Sequence, residues 1–201
     1  MTANLAWAMA SANLEPIGAV DTAFGGNSTL CKLLGVDPLT PGFWDYLLGP
    51  FVVGRQVEPT VSAVGNIRVV SNGRLTSHAV NWALSDMVAA LGRDPGKVGD
   101  YVLEEIGRLV TRYLMPHGVG IVVVDLPSTA SVGPVAWAFL MRASVVNLVV
   151  QAGSTHLDEA REALGLISAV NQQRAQLGVR PLVTYLIINS ALPNDNTTNQ
   201  L

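Results

Sequence analysis

The sequence predicts an α/β fold in which a mainly parallel sheet lies between two layers of helices. Three observations carry that prediction. Apolar runs rich in Val and Ile recur along the chain. Most of the stretches between them show helical periodicity. The runs are apolar on both faces, which belongs to strands buried in a parallel sheet.

Taken in order, Thr2–Leu14 reads as a helix, with Leu5, Met9 and Ala12 on one face. Pro16–Asp21 (PIGAVD) is a short apolar run ending in an acid, which suits a buried strand. Phe24–Asn27 (FGGN) is turn chemistry, because its glycines admit positive φ. Ser28 can cap a short helix over Thr29–Leu34, closed by Gly35. From Asp37 to Ala63 the pattern is irregular, with Pro38, Pro41, Pro50 and Pro59, and Phe43–Leu48 gives one or two helical turns. Gly65–Ser71 (GNIRVVS) reads as a strand. Thr76–Leu91 is helical, with Val80, Leu84, Met87, Val88 and Leu91 on one side. Gly96–Leu114 is the clearest helix, striped by Val102, Leu103, Ile106, Leu109, Val110, Tyr113 and Leu114. Glu104 and Arg108 add an i,i+4 pair. Val119–Asp125 is a strand, Ser128–Ala143 a loop and then a helix, Val145–Gln151 a strand, Leu157–Leu177 a long helix and Pro181–Asn189 a strand. Nothing divides the chain, so a single domain over residues 1–192 is expected, followed by a polar tail at 193–201.

Composition removes several classes of function. The 201 residues are 49% hydrophobic and 13% charged, with a net charge of −3. That charged fraction is about half the usual quarter, which excludes a disordered chain. Basic residues number 12 against 15 acidic ones, so no positive field for nucleic acid exists. The most apolar runs span about eight residues, whereas a membrane helix needs about twenty. One cysteine, Cys31, excludes a disulfide framework and a multi-cysteine metal site. His78, His117 and His156 share no ligand spacing. A soluble, cytoplasmic protein with no intrinsic nucleic-acid or membrane surface is expected. Its surplus apolar content points to a subunit interface.

Three strand ends carry candidate chemistry. Asp125 closes Ile121-Val122-Val123-Val124, and an acid there faces the crevice where α/β sheets bind ligands. Such a carboxylate can hold Mg²⁺ through water. Asp21 closes Ile17-Gly18-Ala19-Val20 and would face the same crevice if the two strands are neighbours. Its other reading is a turn or helix cap. Asn189 closes Leu186-Ile187-Ile188, where an amide can read the edge of a base or simply serve a turn.

In order and spacing these segments resemble the ParA/MinD group of P-loop ATPases. Thr2–Ala10 resembles the helix after that family's phosphate loop. Asp21–Leu30, with Leu34-Gly35 beyond it, resembles its strand-end acid and following segment. Gly65–Ser71 resembles its middle strand, and Val123-Val124-Asp125-Leu126-Pro127 its Walker B and switch II. Val145–Gln151 and Ile187-Ile188-Asn189 resemble its last strands. The resemblance implies ATP and Mg²⁺ as cofactors, with Asp125 on the metal, Asp21 in a catalytic role positioning water or metal, and Asn189 on adenine. Ser128 would contact phosphate or cap the next helix. It also implies a homodimer, a regulatory protein partner, and a role in DNA partitioning, division-site or cargo positioning. The family's Gly-Lys-Thr loop would lie immediately before Thr2, where only Met1 stands. The usual first strand and loop are therefore expected to be missing, and this polypeptide to be inactive. Gly25-Gly26-Asn27-Ser28-Thr29 is no substitute, since it has no lysine. The alternative is a non-catalytic interaction or dimerisation module that has lost ATP binding. A flavodoxin-like or other doubly wound enzyme would need a phosphate-binding loop after a strand, for which Gly25-Gly26 is a weak candidate.

Overall fold

The β-branched runs that crowd a helix fit a pleated, buried surface, and the strands form where those runs stand. The computed structural model describes residues 2–12, 15–24, 28–126, 133–151 and 157–189. They belong to two compact units, Met1–Pro127 and Ser128–Leu201.

The first unit contains α1 (Thr2–Ala12), β1 (Ile17–Asp21), α2 (Thr29–Leu34), α3 (Phe43–Val52), β2 (Val61–Val64), β3 (Ile67–Val70), α4 (Ser77–Ala90), α5 (Pro95–Leu109) and β4 (Ile121–Asp125). Its sheet runs β2-β3-β1-β4. β1 is parallel to both β3 and β4, and β2 is antiparallel to β3. All of β1 is buried, as expected for a strand with neighbours on both edges.

One sheet face, carrying Ile17, Ala19, Ile67 and Val69, packs on Ala3, Ala6 and Ala10 of α1 and on Leu30, Cys31 and Leu34 of α2. Small side chains let α1 lie close to the sheet. Of the stripe Leu5, Met9 and Ala12, Met9 packs against this core, whereas Leu5 and Ala12 are exposed, as is Trp7. The other face is approached equally closely. A β-carbon at Gly18 would lie 3.0 Å from a methyl of Val119 and 3.4 Å from one of Leu114.

Two further departures have local causes. β2 falls in the stretch that reads as irregular. It is made by a two-residue turn at Gly65-Asn66, with Gly65 at φ 54° and Val64 opposite Ile67. The long fifth helix stops being α-helical at Leu109. It widens into a π turn over Val110–Leu114 and ends in a 3₁₀ turn over Met115–His117, before Gly118. Within that helix Glu105 is buried. It accepts hydrogen bonds from the Tyr46 hydroxyl at 2.7 Å and from Arg108, which also reaches Glu104.

The second unit contains α6 (Gly133–Arg142), β5 (Val145–Gln151), α7 (Leu157–Gln176) and β6 (Val183–Asn189), with β5 and β6 parallel. Leu140, Ile167, Val170 and Leu182 form its core. Arg174 is buried and donates to the carbonyls of Leu140, Met141 and Arg180. It thereby satisfies carbonyls near the end of α6 and complements that helix's negative pole. Among the described residues, no helix is long and apolar enough to cross a membrane.

Arg174→Met keeps much of the side-chain volume but strands those carbonyls. It is expected to cost about 1–3 kcal/mol in urea denaturation. An unchanged midpoint would show that the carbonyls find other partners.

Candidate functional site

Parallel strands bring their carboxyl ends to one edge, and register decides which side chains meet there. β1 and β4 pair residue for residue, Asp21 opposite Asp125, so both carboxylates stand on the same face. The neighbourhood expected from the sequence is thus formed. Thr22 ties the two ends together: its N–H donates to the Asp125 carbonyl at 3.1 Å and its hydroxyl donates to the same oxygen at 2.6 Å.

The two acids have different surroundings. Asp21 is fully buried. Its Oδ1 accepts the Ala23 N–H at 2.9 Å. Its Oδ2 accepts the hydroxyl of Ser28 and the thiol of Cys31, the latter at 3.4 Å. Ser28 also caps α2, accepting the Cys31 N–H at 2.9 Å. Asp21 is therefore held by three donors and fastens β1 to α2. Burial, reinforced by the charge of Asp21, pushes the Cys31 thiol up to about 11 and keeps it protonated.

Asp125 is half-buried, and its Oδ1 accepts the hydroxyl of Thr2 at 2.7 Å. Burial raises its pKa above the ordinary carboxylate value. The charge of Asp21 adds to the rise, and the Thr2 hydrogen bond opposes it. Thr2 and Thr22 are the residues that sequence reading missed. Thr2 lies 123 positions from its partner, and no local pattern marks such a contact.

The chemistry of this edge suits a hard cation. A carboxylate and a hydroxyl offer oxygen ligands, and Mg²⁺ needs only one or two protein groups beside water and phosphate oxygens. Among the described residues, no group of three or more His, Cys, Asp and Glu forms a metal site. Asn189 closes β6 opposite Gln151 in the ladder, and its side chain is not among those described. Ser128 and His156 lie outside the described residues.

Two outcomes follow from these environments. An acid with a raised folded pKa loses stability as pH rises from its unfolded pKa through the folded one. Asp125→Asn should therefore stabilise the fold at pH 7, with the gain shrinking as pH falls toward about 4, the ordinary carboxylate pKa. Urea melts at both pH values check this, and a variant less stable at pH 7 would contradict it. Cys31 should resist iodoacetamide in the native protein and react only on unfolding, as read by mass spectrometry.

The sequence matches no protein-family model and no curated protein. The structure does resemble solved ones. One is cobyrinic acid a,c-diamide synthase from Mycobacterium smegmatis with a bound ATP analog and magnesium, at TM-score 0.60 and 20% identity, covering 98% of this chain and 70% of that one. Another is an ATP complex of a variant McdA from Cyanothece, at 0.57 and 12%, covering 93% of this chain and 63% of that one. A third is a plasmid partition protein from Borrelia burgdorferi, at 0.56 and 12%, covering 98% and 75%. At such identities the likeness concerns the fold. The chain has the α/β fold of the ParA/MinD-type P-loop ATPases.

Proposed function

We propose that residues 1–192 form one domain of a ParA/MinD-type nucleotide switch, and that the edge of β1 and β4 is its Mg²⁺–ATP site. The observation that supports this reading is the contact between the Thr2 hydroxyl and Asp125. In P-loop NTPases the metal is held by the hydroxyl at the start of the helix after the phosphate loop and by the Walker B acid. Thr2, at the start of α1, and Asp125, at the end of β4, supply that pair. Mg²⁺ held there would neutralise charge on the transferred phosphate. Asp125 holds the cation through water, and Thr2 orients Asp125. Asp21, for which the resemblance implies a catalytic role in positioning water or metal, is proposed to do so by fixing the strand end beside them. Ser128 and Asn189 are proposed for phosphate and adenine. The proposal extends to dimerisation on ATP and to a positioning role for DNA or other cargo in the cytoplasm; a plasmid partition protein shares the fold.

The second reading, a non-catalytic interaction module, is favoured by one fact. No Gly-Lys-Thr or Gly-Lys-Ser run occurs in residues 1–201, so the usual lysine for the phosphates is not supplied by these residues.

Titration calorimetry and light scattering separate the two readings. The switch predicts Mg²⁺-dependent ATP binding that Asp125→Asn and Thr2→Ala each weaken at least about tenfold, the loss of one charged contact. It also predicts dimers that form on adding Mg–ATP. The module predicts no ATP heat and a dimerisation state indifferent to nucleotide.

A further inference from the structure

The two acids meet at the edge, but the backbone between them is held from a third place. Thr22 and Ala23 turn their N–H groups toward the Asp125 carbonyl and the Asp21 carboxylate. Their carbonyls point the other way, to one donor. The indole N–H of Trp44 lies 3.1 Å from the Thr22 carbonyl and 3.3 Å from that of Ala23. Trp44 is fully buried, stacked on Phe24 at 5.1 Å and edge-on to Phe43 at 5.0 Å.

The mount of that indole is rigid. The N–H groups of Phe43 and Trp44, at the start of α3, donate to the carbonyls of Ser71 and Asn72, just beyond β3. The next residue, Asp45, accepts the N–H groups of Gly42 and Arg74 at 3.0 and 2.8 Å. A buried side chain anchored twice through the backbone has little freedom, so its one donor fixes the groups it touches.

We propose that Trp44 is a positioning residue for the carboxylate edge: its single N–H orients the Thr22-Ala23 peptide, and through it the spacing of Asp21 and Asp125. The metal part of this proposal rests on the Mg²⁺ reading above; the backbone part does not. Trp44 touches neither cation nor substrate. It acts through the dipeptide, as an outer hydrogen bond orients a ligand.

The test is to remove the donor and keep the ring. Replacing Trp44 with benzothienylalanine exchanges only the ring N–H for sulfur, and Trp44→Phe is the encoded counterpart. Mn²⁺ titration followed by electron paramagnetic resonance, and residue-resolved amide exchange, are run on the full chain. The expected result is Mn²⁺ affinity about tenfold weaker, the size of one lost hydrogen bond. Exchange at Thr22 and Ala23 should quicken while α5 amides keep their protection. A merely structural role would instead lower protection everywhere. Uniform loss of protection in both variants, or wild-type exchange at Thr22 and Ala23 in the benzothienyl protein, overturns the proposal. If the unmodified chain binds no Mn²⁺, the metal reading falls, and exchange at Thr22 and Ala23 alone decides the role of Trp44.

Discussion

The residue-for-residue pairing of β1 with β4 is the constraint on which the rest depends. Side chains alternate along a strand, so a slip of one position would turn Asp125 to the face opposite Asp21. The register is held along the strands' length. Ile17, Ala19 and Val123 share the face packed by α1 and α2. On the other face Gly18 leaves room for Val119 and Leu114. A slipped β4 would take Val123 away from α1. The arrangement of the site is therefore enforced by burial some way from it.

Holding the Asp125 carboxylate beside Asp21 is costly, because burial and the neighbouring charge both oppose its ionisation. The fold supplies donors unevenly. Asp21 has a backbone amide, a hydroxyl and a thiol. Asp125 has the hydroxyl of Thr2, and its pKa stays raised. Asp21 thus fastens β1 to α2, while Asp125, with one protein donor, is the carboxylate on which the proposed cation would act.

Much of this was legible because it is local. Apolar runs ending in acids gave β1 and β4, and the Ser28 cap and Gly35 bounded α2 at its observed residues. What was hidden depends on distant partners or on packing distance. β2 is only four residues long, although Gly-Asn between apolar pairs is a usable turn signal. The packed face of α1 is only partly legible, through Met9, because periodicity favours large residues, whereas close approach to a sheet selects alanines. Thr2 and Trp44 had no signal at all: one opens a helix, and the other stands in a proline-rich stretch without clear periodicity. The residues most tied to the site are legible only once β1, β3 and β4 are side by side.

The high apolar content can also be located. Part of it is the doubly covered β1. Another part lies on the sheet of the second unit, where register puts Val145, Val149, Val183 and Tyr185 on one face, each between 44% and 57% exposed. Parallel strands ordinarily have both faces covered, and two strands alone give little independent stability. The surplus apolar surface of this unit thus has a specific address. It lies on alternate residues of β5 and β6, the side chains that burial would stabilise at about 25 cal/mol per Å² of apolar surface covered. Polar substitution there would reduce that gain without disturbing Leu140, Ile167, Val170 and Leu182, which form the unit's own core.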